Sequence, residues 1–181
     1  MRFIINILFF MLCAARFNSL GQELNKVVII RHGEKPVKGN NLSCQGLNRS
    51  LELASVLFKK YNLPDHIFVP DIKSGKSTNQ SRMYQTIIPF AVKYNIDIDT
   101  RYSVDDTKNL ADGIMKIKGY VLVVWSHEKI PAIVNGLGIK DKNLNWKSDD
   151  FDSILVITFT KNGKPQLTID KENITPSPDC R

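Results

Sequence analysis

Two short runs constrain this chain more than anything else in it. Residues 26–30 (KVVII) and 120–125 (YVLVVW) are rich in β-branched side chains and show no polar–apolar alternation. A strand with one wet face alternates, whereas a strand covered on both faces does not. Two such strands, separated by segments of helical periodicity, call for a sheet lying between layers of helix. The sequence therefore predicts an α/β fold, a three-layer αβα sandwich with a mainly parallel central sheet. At 181 residues the chain is long enough for one domain with a sizeable core.

The other elements fill in that plan. From 45 to 61 the apolar residues Leu47, Leu51, Leu53, Ala54, Val56, Leu57 and Phe58 form a stripe at helical spacing, and Ser43 is placed to cap the N-terminus. Pro64 and its neighbours end this helix. A short strand at 66–69, a polar loop at 71–80, a helix at 81–94 and a brief strand at 96–98 follow. A helix over 105–117 starts near Asp105 or Asp106. Pro131 falls in the first turn of a further helix, where its missing N–H does no harm, and Gly136 and Gly138 close it. Strands at 153–160 and 166–170, joined by a tight turn at Asn162-Gly163, predict an antiparallel edge. There is no internal repeat and no interdomain linker. Trp125 and Trp146 read as core, and His66 as a strand-edge residue.

The N-terminus has a different character. Arg2 precedes a short apolar run from 3 to 15 that ends in small residues, the pattern of a secretory signal peptide. The reading is a signal peptide at 1–21 and a mature domain at 22–181, exported to the periplasm or medium and without stable membrane association after cleavage. Cleavage after Ala15 and an uncleaved anchor are the competing readings. Export bears on the cysteines. The mature chain keeps Cys44 and Cys180, which form either a bridge in an oxidising compartment or two free thiols. Loss of Arg2 and Arg16 lowers the formal charge from +7 to +5. That excess suits an anionic ligand. No dense basic run interleaved with aromatics points to nucleic acid, and no motif points to a metal or cofactor.

Each buried run ends in a histidine: Arg31-His32-Gly33-Glu34 follows the first and Ser126-His127-Glu128 the second. In an open α/β sheet, ligands bind beyond the carboxyl ends of the strands. If both strands are central and parallel, two imidazoles converge there from distant parts of the chain. Gly33 permits close approach of the backbone to a ligand. Arg31 offers a planar fork for phosphate oxygens, and Arg82, at the start of a helix, offers a second. These are the ingredients of phosphoryl transfer, which needs positioning and neutralisation of charge on the equatorial oxygens.

Arg31-His32-Gly33-Glu34 resembles the signature of the histidine phosphatase (phosphoglycerate mutase-like) superfamily. Leu42-Ser43 with Gly46 and Arg49, Ser81-Arg82-Met83-Tyr84-Gln85-Thr86, and the strand at 121–127 continued by Ile130-Pro131-Ala132 resemble further segments of it, in order, over about residues 26–160. The resemblance implies a phosphoglycerate mutase-like fold. It implies a metal-independent phosphomonoesterase, with His32 as nucleophile and Arg31, Arg82 and His127 completing the phosphate pocket. The implied partner is a phosphorylated small molecule. A phosphohistidine or phosphoprotein phosphatase, and a phospho-ligand binding module without turnover, are the alternatives. The mutase-type segment of paired Glu-Arg and spaced glycines is missing after Arg82, which speaks against a glycolytic mutase. For the proton donor, Glu128 ranks first. Asp105 and Asp106 are the alternatives, with helix capping as their plainer role. Glu34 reads as an outward-facing loop residue. Lys73 and Lys76 sit in a loop able to line the pocket.

Overall fold

The computed structural model describes residues 24–72, 78 and 80–180. The signal-peptide reading of 1–21, and Lys73 and Lys76, lie outside the described residues. In chain order the elements are β1 (Leu24–Arg31), α1 (Cys44–Tyr61), β2 (His66–Phe68), α2 (Ser81–Tyr94), β3 (Ile98–Asp99), α3 (Thr107–Ile114), β4 (Gly119–Trp125), α4 (Ile130–Gly136), β5 (Ser153–Phe159) and β6 (Pro165–Lys171). The six strands form one sheet in the order β3-β2-β4-β1-β5-β6.

The first four strands of that order run parallel, and β5 and β6 are each antiparallel to the strand before them. The antiparallel part is thus wider than a single edge strand, because β5 pairs directly with β1. Every residue of β4 is buried, as are Val27 to Arg31 of β1. This is the physical meaning of the missing alternation. Right-handed crossovers put α1 and α2 on one face and α3 on the other. In keeping with this, α1 packs against α2 and α3 against α4. Both faces of the central strands are thereby covered, and the sandwich has three layers.

Ser43 caps α1, accepting from Gly46 N at 3.2 Å, and Asn62 ends it with a left-handed φ of 67°. The helix at 105–117 is shorter than its sequence pattern, covering Thr107–Ile114. The brief strand expected at 96–98 starts two residues later. Trp125 and Trp146 are core residues, and their indole N–H groups donate to Val104 O and Asp150 O. His66 opens β2, an interior strand, and is exposed. After β6 the chain runs back along α1. Asn48 Nδ2 donates to Ser177 O and Asp179 O, and Cys44 and Cys180 are disulfide-bonded with a Cα separation of 4.7 Å. The bridged reading of the two cysteines therefore holds, and it ties the C-terminal segment to the first residue of α1.

Candidate active site

β1 and β4 are parallel neighbours, with Arg31 opposite Trp125. The residues that follow them, His32 and His127, therefore emerge side by side at the carboxyl edge of the sheet. His32 N donates to Trp125 O at 3.2 Å, which carries the pairing one residue beyond β1.

His32 is buried, and its Nδ1 lies 2.7 Å from the carbonyl oxygen of Gly33. A carbonyl only accepts, so Nδ1 carries the proton and Nε2 keeps a lone pair. Burial pushes the imidazole pKa down to about 4; the Gly33 hydrogen bond opposes this, while Arg31, Arg82 and His127 add to it. At neutral pH, His32 is an uncharged base with a free Nε2.

Arg31 is held from three sides. Its Nη1 donates to the carbonyls of Lys147 (3.2 Å), Ser148 (3.0 Å) and Asp150 (2.9 Å), and the guanidinium carbon sits 3.8 Å from the centre of the Phe151 ring. Its Nη2 faces His127 Nδ1 at 3.3 Å. Because a guanidinium cannot accept, His127 is the Nε2–H tautomer, the opposite of His32. Burial lowers Arg31 to a pKa of about 10, opposed by the carboxylates of Asp150 and Glu34, so it stays cationic. Burial, and then Arg31, likewise lower His127.

Arg82 begins α2, and its Nη1 donates to Gly39 O at 3.1 Å. Its pKa is lowered by burial. Among the described residues, Arg31 Nε and Arg82 Nε are buried N–H groups without a hydrogen-bond partner. Such groups are uncommon in folded proteins. Here both belong to guanidinium groups whose charge is felt by His32.

The loop that carries His32 is fixed by its neighbours. Gly33 N donates to Thr86 Oγ1 at 2.9 Å, and that hydroxyl donates to Arg82 O at 2.7 Å. Ser43 N donates to Glu34 O at 2.9 Å. A Cβ on Gly33 would lie 3.0 Å from Gly46 O, and one on Gly46 would overlap the Glu34 carbonyl. The two glycines thus let the first turn of α1 press on the loop, which is a closer reason for Gly33 than approach to a ligand.

Glu34 is not outward-facing. Its carboxylate accepts from Arg49 Nε at 3.0 Å and Nη2 at 2.7 Å, and Arg49 Nη1 donates to Glu172 Oε2 at 2.7 Å. Of the three donor candidates, Glu128 is exposed in the turn between β4 and α4, next to His127. Asp105 is ion-paired with Lys129 Nζ at 2.6 Å. Asp106 accepts from Asn109 Nδ2 at 2.8 Å and makes no side-chain cap to α3. Among the described residues no cluster of three or more His, Cys, Asp or Glu is disposed to hold a metal ion.

Sequence reasoning missed the segment from Lys147 to Phe151, which cages Arg31, and the Glu34–Arg49–Glu172 cluster. The first lies in a polar loop without periodicity, where Phe151 is the one odd residue. The second joins parts of the chain far apart in sequence.

The sequence matches no protein-family model and no curated protein. Solved structures do match. The protein histidine phosphatase SixA complexed with tungstate superposes with a TM-score of 0.62 at 15% identity, covering 81% of this chain and 97% of that one. A mycobacterial glucosyl-3-phosphoglycerate phosphatase in complex with inorganic phosphate gives 0.56 at 16% identity over 81% and 95%. A phosphoserine phosphatase from Entamoeba histolytica in complex with phosphoserine gives 0.53 at 14% over 82% and 96%. The chain therefore shares the α/β fold of these solved phosphatases.

Proposed function

We propose that this chain is a phosphomonoesterase working through a phosphohistidine on His32. One observation carries the reading. The neutral Nε2 of His32 lies within the field of two guanidinium groups, that of buried Arg31 and that of half-buried Arg82, each with a buried Nε–H that has no hydrogen-bond partner among the described residues. A tetrahedral dianion satisfies both donors and presents phosphorus to the lone pair.

In the first step His32 Nε2 attacks phosphorus. The P–N bond forms as the P–O bond to the leaving group breaks. Arg31, Arg82 and the Nε2–H of His127 donate to the equatorial oxygens, where charge stabilisation in the transition state is worth most. Glu128 gives its proton to the leaving oxygen. In the second step water attacks phosphorus, the P–N bond breaks, and the water proton goes to Glu128. Inorganic phosphate departs and His32 is neutral again. Ion pairing of Asp105 with Lys129 favours Glu128 as donor.

Similarity to solved phosphatases, one holding tungstate and one inorganic phosphate, supports an oxyanion ligand. The substrate proposed is a small phosphomonoester, turned over without a metal. The same reading has the chain exported with residues 1–21 removed. The Cys44–Cys180 bridge supports this, because such bonds persist in oxidising compartments. The test is turnover of residues 22–181 on a panel of small phosphomonoesters and phosphohistidine, with chelator present and His32→Ala as control. Release of phosphate that depends on His32 is the predicted result. No release on any member, or equal release by the variant, rejects the reading.

A further inference from the structure

The cluster of Glu34, Arg49 and Glu172 takes no direct part in the chemistry above. Arg49 is 5% exposed and Glu172 3%. The cluster unites the loop after β1, the second turn of α1 and the residue that follows β6. Arg49 is bidentate on Glu34, so Glu172 is the surplus carboxylate. Burial raises its pKa to about 7, although Arg49 beside it acts the other way. Buried ion pairs of this kind are often no more stabilising than apolar residues of the same volume. Stability alone is a poor reason for one here.

What the cluster touches suggests another role. Glu34 is the residue after Gly33, and the Gly33–Glu34 peptide supplies the carbonyl that fixes the His32 tautomer. The Glu34 carbonyl is pinned by Ser43 N and its side chain by Arg49. Glu172 N also donates to Asp152 O at 2.7 Å, next to the segment whose carbonyls cage Arg31. The segment after β6 is in turn fixed on α1 by Asn48 and by the disulfide. A single strap thus reaches the supports of both His32 and Arg31.

We propose that Arg49 and Glu172 are positioning residues: acting through Glu34, they hold the Gly33 carbonyl on His32 Nδ1 and so keep Nε2 free for attack. The proposal rests on the phosphatase reading for its kinetic consequence, but its structural content concerns the imidazole alone. Glu172→Ala leaves Arg49 Nη1 unpartnered in a buried place, frees the guanidinium to move, and loosens the loop. Displacement of a nucleophile lowers kcat by about ten- to a hundredfold with little change in KM. Glu172→Gln, which still offers an acceptor, recovers most of that loss.

The decisive readout is the His32 tautomer, from two-bond ¹H–¹⁵N correlation spectra of the imidazoles. With three histidines in the chain, assignment needs only His32→Ala and His127→Gln spectra. Wild type should show Nδ1–H at His32. Glu172→Ala should show a mixture or the Nε2–H form, alongside the fall in kcat. Arg49→Lys keeps the charge but cannot span both carboxylates; it is held to the same criterion if Glu172→Ala does not fold. A folded variant that retains the wild-type tautomer overturns the proposal, whatever its kcat. Absence of His32-dependent turnover in the wild type defeats the phosphatase reading instead, and leaves the tautomer measurement intact.

Discussion

Arg31 Nη2 lies 3.3 Å from His127 Nδ1, and this contact decides which nitrogen of the second histidine bears the proton. It makes the two imidazoles complementary, with one presenting a lone pair and the other an N–H. Arg31→Lys keeps a cation but loses both the fork and this contact. Loss of one preorganised donor set should lower kcat by roughly 10²–10³-fold, and His127 should no longer hold a single tautomer. Inhibition by inorganic phosphate should weaken in parallel. Unchanged phosphate inhibition would show that Arg31 is only structural.

The lowered His32 pKa should set the acid limit of the proposed reaction. Its folded value of about 4 lies below the ordinary 6.5 because of burial. The imidazole therefore stays neutral as pH falls through 6.5 and gains its proton only near 4. An NMR titration should find the midpoint there. The linkage has the same sign: stability drawn from keeping His32 neutral is full above 6.5 and is lost as pH falls toward 4. A midpoint near 6.5 would mean that His32 is solvated rather than enclosed.

Glu128→Gln keeps the shape of the side chain and removes its proton. An alkyl phosphate, whose alkoxide is a poor leaving group, should lose roughly 10²–10⁴-fold in rate. An activated aryl phosphate should lose far less. Asp105→Asn breaks an ion pair with Lys129 and should be mild on both substrates, as should Asp106→Asn. Equal losses on both substrates for Glu128→Gln would move the donor role to one of the aspartates.

The Cys44–Cys180 bridge joins residues 136 apart in sequence. Cross-links of long loops typically stabilise by about 2–4 kcal/mol. Reduction, or the double change Cys44→Ser with Cys180→Ser, should lower the unfolding free energy measured by denaturant titration by about that amount. Thiol titration of unfolded, unreduced residues 22–181 should find none. Two titratable thiols would exclude the bridge.

Much of this was open to reading because the central strands are covered on both faces. Residues 26–30 and 120–125 could not alternate, and the histidine after each had to reach the carboxyl edge of the sheet. Strand burial alone thus brings His32, His127 and Arg31 to one edge of the sheet. Arg82 followed from its position at the start of a helix. What stayed hidden depended on tertiary register. Glu34 looks like a loop acid until Arg49, fifteen residues on, and Glu172, beyond the last strand, are folded onto it. The carbonyls that cage Arg31 come from a polar loop, and backbone acceptors leave no mark in a sequence. The pairing of Asp105 with Lys129 is equally invisible, since both read as surface charges.

Trapping the phosphoenzyme tests directly whether His32 is the nucleophile. Residues 22–181 are mixed rapidly with a ³²P-labelled substrate found by the panel and denatured in alkali, and the label on the protein is followed against pH. A phosphohistidine is stable in base and labile in acid, unlike a phosphoserine. Base-stable, acid-labile label is expected on the wild type and none on a folded His32→Ala variant. Label that survives acid, or that persists on the variant, would contradict it.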